Sequence, residues 1–257
     1  MNKILSALRS LKRYVAYYGH SFYCPLCERS ARIFLPRNKK TIGQETITRY
    51  DIVGMGNRPH ATCPWCSSSD KERLVWWYLS PTLTPGQRIL HIAPERNTRR
   101  RIQQMPGIEY VCGDKFYGSP RYKDGRYDGV DEIDITALPY ADKSFDSIIC
   151  NHVLEHIEDD SCALSELYRV LKSGGKAILQ VPISYITKTI EDPSARTEEE
   201  REQTFGQIDH VRIYGTDYPA RLKKAGFVVT DIAPENRPPL TRFGVNPREH
   251  IYIASKK

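Results

Sequence analysis

Hydrophobic positions along this chain fall into short strand-length runs separated by helical patterns. The clearest unit begins at Phe145-Asp-Ser-Ile-Ile-Cys150, an apolar run of strand length. Asp159, Asp160 and Ser161 offer helix-start signals, and Leu164, Leu167, Tyr168 and Leu171 then recur at helical spacing. Gly174-Gly175 ends the helical pattern, and Ala177 to Val181 is a second buried strand. Strand, helix, strand over this length predicts a right-handed βαβ unit with parallel strands. Ligands in such sheets bind beyond the carboxyl ends of the strands, which singles out Asn151 and His152.

Further strands are predicted at Arg88–Ile92, Glu109–Cys112, Glu132–Ile135, Phe227–Ile232 and His250–Ala254. Helices are predicted at Glu72–Leu79, over the charged run Thr197–Glu202, and from Asp217 to Ala225 before Gly226. In the N-terminal third, Ile33–Leu35 and the β-branched stretch Thr46–Val53 read as strands. Residues 3–18 read as an amphipathic helix, with Ile4, Leu5, Leu8, Leu11 and Val15 on one face. That face either packs on the body of the protein or lies against an anionic membrane surface as a peripheral contact.

The motifs on this framework resemble class I S-adenosylmethionine-dependent methyltransferases of the type 11-like kind. The residues that carry the resemblance are Ser144-Phe-Asp-Ser-Ile-Ile-Cys-Asn-His-Val-Leu-Glu-His-Ile157 and Glu166-Leu-Tyr-Arg-Val-Leu-Lys-Ser-Gly-Gly175. The resemblance covers roughly residues 86 to 255 and implies a Rossmann-like, seven-stranded, mostly parallel α/β sheet flanked by helices. It also implies S-adenosylmethionine as cofactor. The first strand of the family leads into an acidic residue and a glycine-rich loop. Here the loop reads His91-Ile-Ala-Pro-Glu-Arg-Asn97, with His91 in the acidic position and Ala93 and Glu95 in glycine positions. The missing glycines count against a dinucleotide, whose pyrophosphate needs close backbone approach. Glu95 is placed to engage the cationic methionine end. Asp114 matches the ribose ligand, Asp134 the adenine contact and Ile135 the residue packed on the ring. Asn151 and His152 complete the cofactor edge.

The chain has 257 residues and a formal net charge of +7. The length fits one ordinary domain with a smaller attachment. No apolar run approaches a transmembrane span, and the N-terminus lacks the continuous apolar core of a signal peptide. A cytoplasmic location is the expectation. The positive balance, with clusters such as Arg99-Arg100-Arg101, permits a nucleic-acid partner without requiring one.

Cys24-Pro-Leu-Cys27 and Cys63-Pro-Trp-Cys66 change the picture of the N-terminal third. Two Cys-x-x-Cys knuckles can present four thiolates to one zinc ion at about 2.3 Å. Four sulfur ligands close a tetrahedral shell, so such an ion is structural. Residues 28–62, between the knuckles, leave room for a ribbon excursion. The organisation expected is a helix at 1–20, a zinc-binding module at 21–80 and a methyltransferase domain at 86–257, with an insert at 183–217.

Within the insert, Asp209-His-Val-Arg-Ile-Tyr214 places four ionisable or hydrogen-bonding side chains in six residues. These are expensive to bury without partners. The expectation is that Asp209, His210, Arg212 and Tyr214 face His152 across the methyl group. His152, His156 and His210 are then candidate bases, with Asp209 orienting His210, and Arg212 and Tyr214 binding the acceptor. Methyl transfer to a small-molecule or sugar-like acceptor is the leading function. The alternative is RNA methylation with the zinc module gripping nucleic acid, although the Asn/Asp-Pro-Pro-Tyr/Phe motif of base-amine methylation is absent after strand four. A third class, a binder without catalysis, is suggested by the glycine-poor first loop.

Overall fold

The computed structural model describes residues 11–37, 43–115, 129–234 and 238–257. Its central element is a seven-stranded sheet assembled from β6 (Arg88–Ile92), β7 (Glu109–Asp114), β8 (Asp131–Glu132), β9 (Phe145–Asn151), β10 (Leu171–Gln180), β14 (Val228–Ile232) and β15 (Ile251–Ser255). The spatial order is β14-β15-β10-β9-β6-β7-β8. β10, β9, β6, β7 and β8 run parallel, and β15 pairs antiparallel to both β10 and β14. This is the Rossmann-like sheet expected, with one reversed strand inside an edge hairpin. The central strands are apolar on both faces because helices cover both. Ile148, Leu90 and Leu179 lie in one core, and Ile89, Ile149, Ile178 and Ile253 in the other.

Two boundaries differ from the expectation. The helix α5 (Asp160–Val170), capped by Asp159 accepting from Cys162 N, stops four residues before the glycines. Leu171 already pairs with Phe145, and Gly174 (φ 78°) and Gly175 form a bulge inside β10 instead. β8 keeps only two paired residues, so Asp134 and Ile135 lie beyond the strand.

The N-terminal third is not a detached module. The part of its first helix that is described, α1 (residues 11–17), leads to β1 (Phe22–Cys24), β2 (Arg29–Ala31) and β3 (Leu35–Arg37). The helix α2 (Gln44–Arg49), β4 (Ile52–Val53), β5 (Arg58–Thr62) and α3 (Asp70–Leu79) follow. Thr46–Val53 was expected as a strand, yet its first half belongs to α2, and only Ile52–Val53 is a strand. Packing overrides β propensity here: Thr46 and Ile47 are buried, and Thr46 Oγ1 donates to Gln203 O at 2.5 Å. Residues 3–10 of the expected amphipathic helix lie outside the described residues. On its described part, Leu11 and Val15 are 60% and 67% exposed, so they do not pack on the body; Tyr17 instead meets Trp65 edge-on.

The sheet and the N-terminal third interlock. β4 pairs with β11 (Ile183–Ser184), directly after β10. Arg73 of α3, fully buried, donates to Ser68 O, His60 O and Phe243 O. The remaining elements are α4 (Arg96–Gln103), β12 (Ile190–Glu191), α6 (Glu198–Phe205), β13 (Arg212–Ile213), α7 (Tyr218–Lys224) and α8 (Pro238–Arg242). Among the described residues no helix is long and apolar enough to cross a membrane.

Candidate active site

At the carboxyl end of β6 the chain turns through Ala93, an L-residue held at φ 48°, with its N–H bonded to Gly113 O at 2.8 Å. Left-handed backbone costs a non-glycine residue roughly 1–2 kcal/mol, so the surrounding contacts hold this loop in place. Those contacts run through Glu95. Its Oε2 accepts from His91 Nε2 at 2.8 Å, and its Oε1 accepts from Asn151 Nδ2. Donation from Nε2 leaves His91 Nδ1 to accept from the Tyr110 hydroxyl at 2.9 Å. Burial alone would raise Glu95, but the His91 hydrogen bond and charge outweigh it, and the carboxyl lies below its usual range. His91 is fully buried, so it positions Glu95 and does not itself face solvent.

Glu95 also sits against a second carboxyl, Glu72 of α3. Glu72 closes a capping box with Ser69, and its Oε1 lies 3.3 Å from Asn97 N. Burial, and then the Glu95 charge, raise Glu72 to about 7. The pair holds its negative charge on Glu95. The N-terminal third thus braces the first loop of the sheet, a link absent from the sequence reading.

The next two strand ends carry Asp114 and Asp134. Asp114 Oδ1 accepts from Lys115 N at 2.8 Å. Asp134 accepts from Lys115 Nζ at 2.7 Å, Thr136 N at 2.9 Å and Thr136 Oγ1 at 2.6 Å. The Lys115 hydrogen bond is the main cause holding Asp134 at about 2. Ile135 is 3% exposed and packs into the main core, so it offers little surface to a ring. Glu95, Asp114, Asp134 and Asn151 therefore line one edge of the sheet at its carboxyl ends.

Beyond β9 the chain enters a different environment. His152 takes φ 55°, again left-handed, while its N–H bonds Gln180 O at 2.7 Å. Its Nδ1 lies 2.9 Å from Lys71 Nζ and 3.1 Å from Glu155 Oε1, and its Nε2 lies 3.6 Å from Glu249 Oε1. A cavity of about 260 Å³ opens here. Arg37, Arg58 and Lys71 line it from the N-terminal third, His152, Glu155 and His156 from the end of β9, and Asp209 and His210 from the insert. Two of its lining residues carry buried polar atoms without a hydrogen-bond partner, His152 Nε2 and Glu155 Oε2, and next to His152 so do Asn151 Oδ1 and both Glu249 oxygens. Buried polar atoms are normally satisfied, so these make the cavity a candidate ligand site.

Electrostatics in the cavity are mixed. Burial pushes Lys71 down to about 8. It likewise pushes His210 down to about 4, so its imidazole is neutral. Burial would raise Glu155, but the His152 hydrogen bond and the attraction of His152, His156 and His210 together outweigh it and hold the carboxyl at about 2. Gly54 (φ 94°) lets the ribbon lie against this group: a Cβ there would meet Glu249 Oε1 and His152 Cε1 at 3.3 Å.

The structure brings His152, Asp209 and His210 together but not Arg212 and Tyr214. Arg212 is 4% exposed and donates to the carbonyls of Leu154, Ile157 and Glu158 and to Glu191. Tyr214 is fully buried and donates to Asp160 Oδ2 at 2.7 Å. The expected acceptor-binding role is therefore corrected. Both side chains point to the turn at 154–160, where Arg212 satisfies carbonyls of the loop that carries Glu155 and His156. Conversely, Arg58, Lys71, Glu155 and Glu249 were missed. Glu155 follows His152 by three positions and was overlooked, whereas nothing local marks Arg58, Lys71 and Glu249, since Lys71 and His152 are 81 positions apart.

The four knuckle cysteines converge. Cys24 Sγ lies 3.7 Å from Cys66 Sγ, and Cys27 Sγ 3.8 Å from Cys63 Sγ. A tetrahedron of sulfurs at about 2.3 Å from zinc has edges of about 3.8 Å. The residues fit a four-cysteine zinc site, and Ser68 Oγ, 3.2 Å from Cys24 Sγ and 3.1 Å from Cys66 Sγ, supplies outer support.

Comparison with known proteins gives these strands a context. Residues 87–179 match the family described as a methyltransferase domain. A demethylmenaquinone methyltransferase from Renibacterium salmoninarum is 35% identical over 97 residues, which is 37% of this chain and 41% of that protein. Phosphoethanolamine N-methyltransferase 1 from Arabidopsis thaliana is 34% identical over 104 residues, 40% of this chain and 19% of that protein. The chain spans less than half the length of these curated relatives. Among solved structures, an S-adenosylmethionine-dependent methyltransferase from Archaeoglobus fulgidus aligns with a TM-score of 0.48 at 18% identity, covering 74% of this chain and 95% of that one.

Proposed function

We propose, from a chain whose residues 87–179 match a methyltransferase domain, that this protein transfers a methyl group from S-adenosylmethionine to a small, anionic acceptor. S-adenosylmethionine supplies a methyl group made electrophilic by its sulfonium. The strand-end carboxylates fit its polar groups. Asp114 and Asp134 offer acceptors for ribose and adenine donors, and Glu95, kept ionised by His91 and Asn151, suits the methionine ammonium.

The cavity beyond Asn151 is the acceptor side of this reading. The observation that carries it is the meeting of Arg37, Arg58 and Lys71 with His152 around one half-open cavity. Three cationic side chains there suit a carboxylate or phosphate on the acceptor. A volume of about 260 Å³ suits a small molecule, not a nucleic-acid strand. The phosphoethanolamine acceptor named for one relative is of this chemical kind. His152 is the proton acceptor for a hydroxyl. Glu155 Oε1, 3.1 Å from its Nδ1, and Glu249 Oε1, 3.6 Å from its Nε2, would stabilise the imidazolium formed when it takes the proton.

The test is incubation with methyl-labelled S-adenosylmethionine and a cell extract split into small molecules and RNA. Label in an anionic small molecule, lost in His152→Ala, is expected. Label in RNA would overturn the acceptor class.

A further inference from the structure

We propose that Glu155, His156 and His210 bind a divalent metal ion of the zinc type inside the acceptor cavity, separate from the four-cysteine site. One carboxylate oxygen and two imidazole nitrogens of these residues all lie within 4.8 Å of one another. Two neighbours on the turn after β9 and one residue of the insert, distant in sequence, converge on one point. Two imidazoles and a carboxylate form a donor set that suits zinc and its first-row neighbours better than magnesium or calcium.

Three details support a ligand role beyond proximity. Glu155 is 2% exposed, and its Oε1 is engaged by His152 while Oε2 has no hydrogen-bond partner. A buried carboxylate oxygen left bare is costly unless something cationic meets it. His156 has its Nδ1 3.0 Å from Asp209 O and 3.4 Å from Asp209 Oδ2. Donation from Nδ1 to that carbonyl fixes the tautomer with its lone pair on Nε2, the outer arrangement that metal-ligating histidines commonly have. The rings of His156 and His210 are 4.7 Å apart and perpendicular, so they are not stacked away from a common centre.

Charge permits the ion. Arg37, Arg58 and Lys71 face the cavity and oppose it. Glu155 and Asp209 line the same cavity, Asp70 is paired with Arg58, and Glu249 lies beside His152. Arg58 is thus offset by Asp70, and Glu155 and Asp209 are the carboxylates that face the ion. Three protein ligands would leave a coordination position open to the cavity, as in catalytic rather than structural zinc sites.

The inference stands whether or not the chain is a methyltransferase, and its test needs no activity. The untagged protein with its four-cysteine metal in place is titrated with Co2+. Expected is visible d–d absorption without a thiolate charge-transfer band, saturating at one equivalent. His156→Ala, at a half-buried position, and the near-isosteric Glu155→Gln should each weaken binding about tenfold or more. Full metal content at the cysteines shows that each variant is folded. No cobalt absorption in the wild-type protein, or unchanged affinity in both ligand variants, overturns the proposal.

Discussion

The two sides of the Asn151-His152 step are assembled in different ways. On the cofactor side, His91, Glu95, Asp114, Asp134 and Asn151 come from consecutive strands of one sheet, and strand ends place them. On the acceptor side, Arg58 and Lys71, then Glu155 and His156, then Asp209 and His210, then Glu249 come from four separated segments. Only tertiary packing places those. The cofactor edge we propose belongs to the sheet, and the acceptor cavity we propose belongs to the seam between the sheet and the N-terminal third.

That division predicts that the two sides can be damaged independently. The strongest test removes a ligand of the candidate zinc site in the N-terminal third. Cys63→Ser should release zinc and destabilise the protein by at least ~4 kcal/mol, about 10 °C in Tm. β3 and β5, which carry Arg37 and Arg58, lose their anchor. Affinity for S-adenosylmethionine, measured by calorimetry below the new Tm, should stay within about twofold. A cofactor affinity that falls with the metal would break the comparison and implicate the Glu72–Asn97 brace between the two sides.

Next in size is Arg212→Ala. A buried group left without its hydrogen-bond partner costs about 1–3 kcal/mol. Here the carbonyls of Leu154, Ile157 and Glu158 lose their donor, while Glu191 keeps Arg221. The loss should appear in thermal unfolding, and at temperatures where the variant stays folded cofactor affinity should be unchanged. A fully stable variant with impaired acceptor binding would return Arg212 to the cavity.

This contrast also explains what was legible in the sequence. Strand periodicity is local, so β6, β7 and β9 and the carboxylates at their ends could be read directly. The cysteine knuckles were legible because two-residue spacing encodes ligand geometry. Asp209 and His210 were found through their density of polar groups, but the same reasoning swept in Arg212 and Tyr214. Alternation places residues on faces; it does not say which face meets the ligand. Thr46–Val53 misled because β-branched residues can sit in a short helix once Thr46 and Ile47 are buried against α6. Lys71 and Glu249 carried no local signal, since each reaches His152 only after the N-terminal third and the β14–β15 connection have docked.

The brace between the sides gives a pH-dependent prediction. Glu72 is raised in the folded protein to about 7 from an ordinary 4.5. Between those values the unfolded chain has released a proton that the folded one still holds, so folding stability falls as pH rises through the window. The slope for one proton approaches about 1.4 kcal/mol per pH unit. Glu72→Gln should flatten stability between pH 4.5 and about 7, as measured by urea unfolding at several pH values. An unchanged profile would mean that Glu72 is ionised and the brace is not a shared-charge pair.

The smallest effects belong to the cofactor edge itself. Asp134 accepts three hydrogen bonds, one of them from Lys115 Nζ. Replacing it with Ala removes an acceptor from a cofactor donor, worth about 1–1.5 kcal/mol, or about tenfold in affinity. Lys115 works in the opposite sense. Its ammonium occupies Asp134 Oδ2, and the cofactor competes with it for that oxygen. The pair is partly exposed, at 44% and 34%, so solvent screens it to roughly 0–1 kcal/mol. Lys115→Ala should therefore raise cofactor affinity, by no more than about fivefold, and change nothing on the acceptor side. Calorimetry on the two variants and on the double variant resolves the point. If Lys115→Ala strengthens binding only while Asp134 is present, the two residues compete at one position. If Lys115→Ala weakens binding in both backgrounds, Lys115 is itself a cofactor ligand, and the edge extends one residue beyond Asp114.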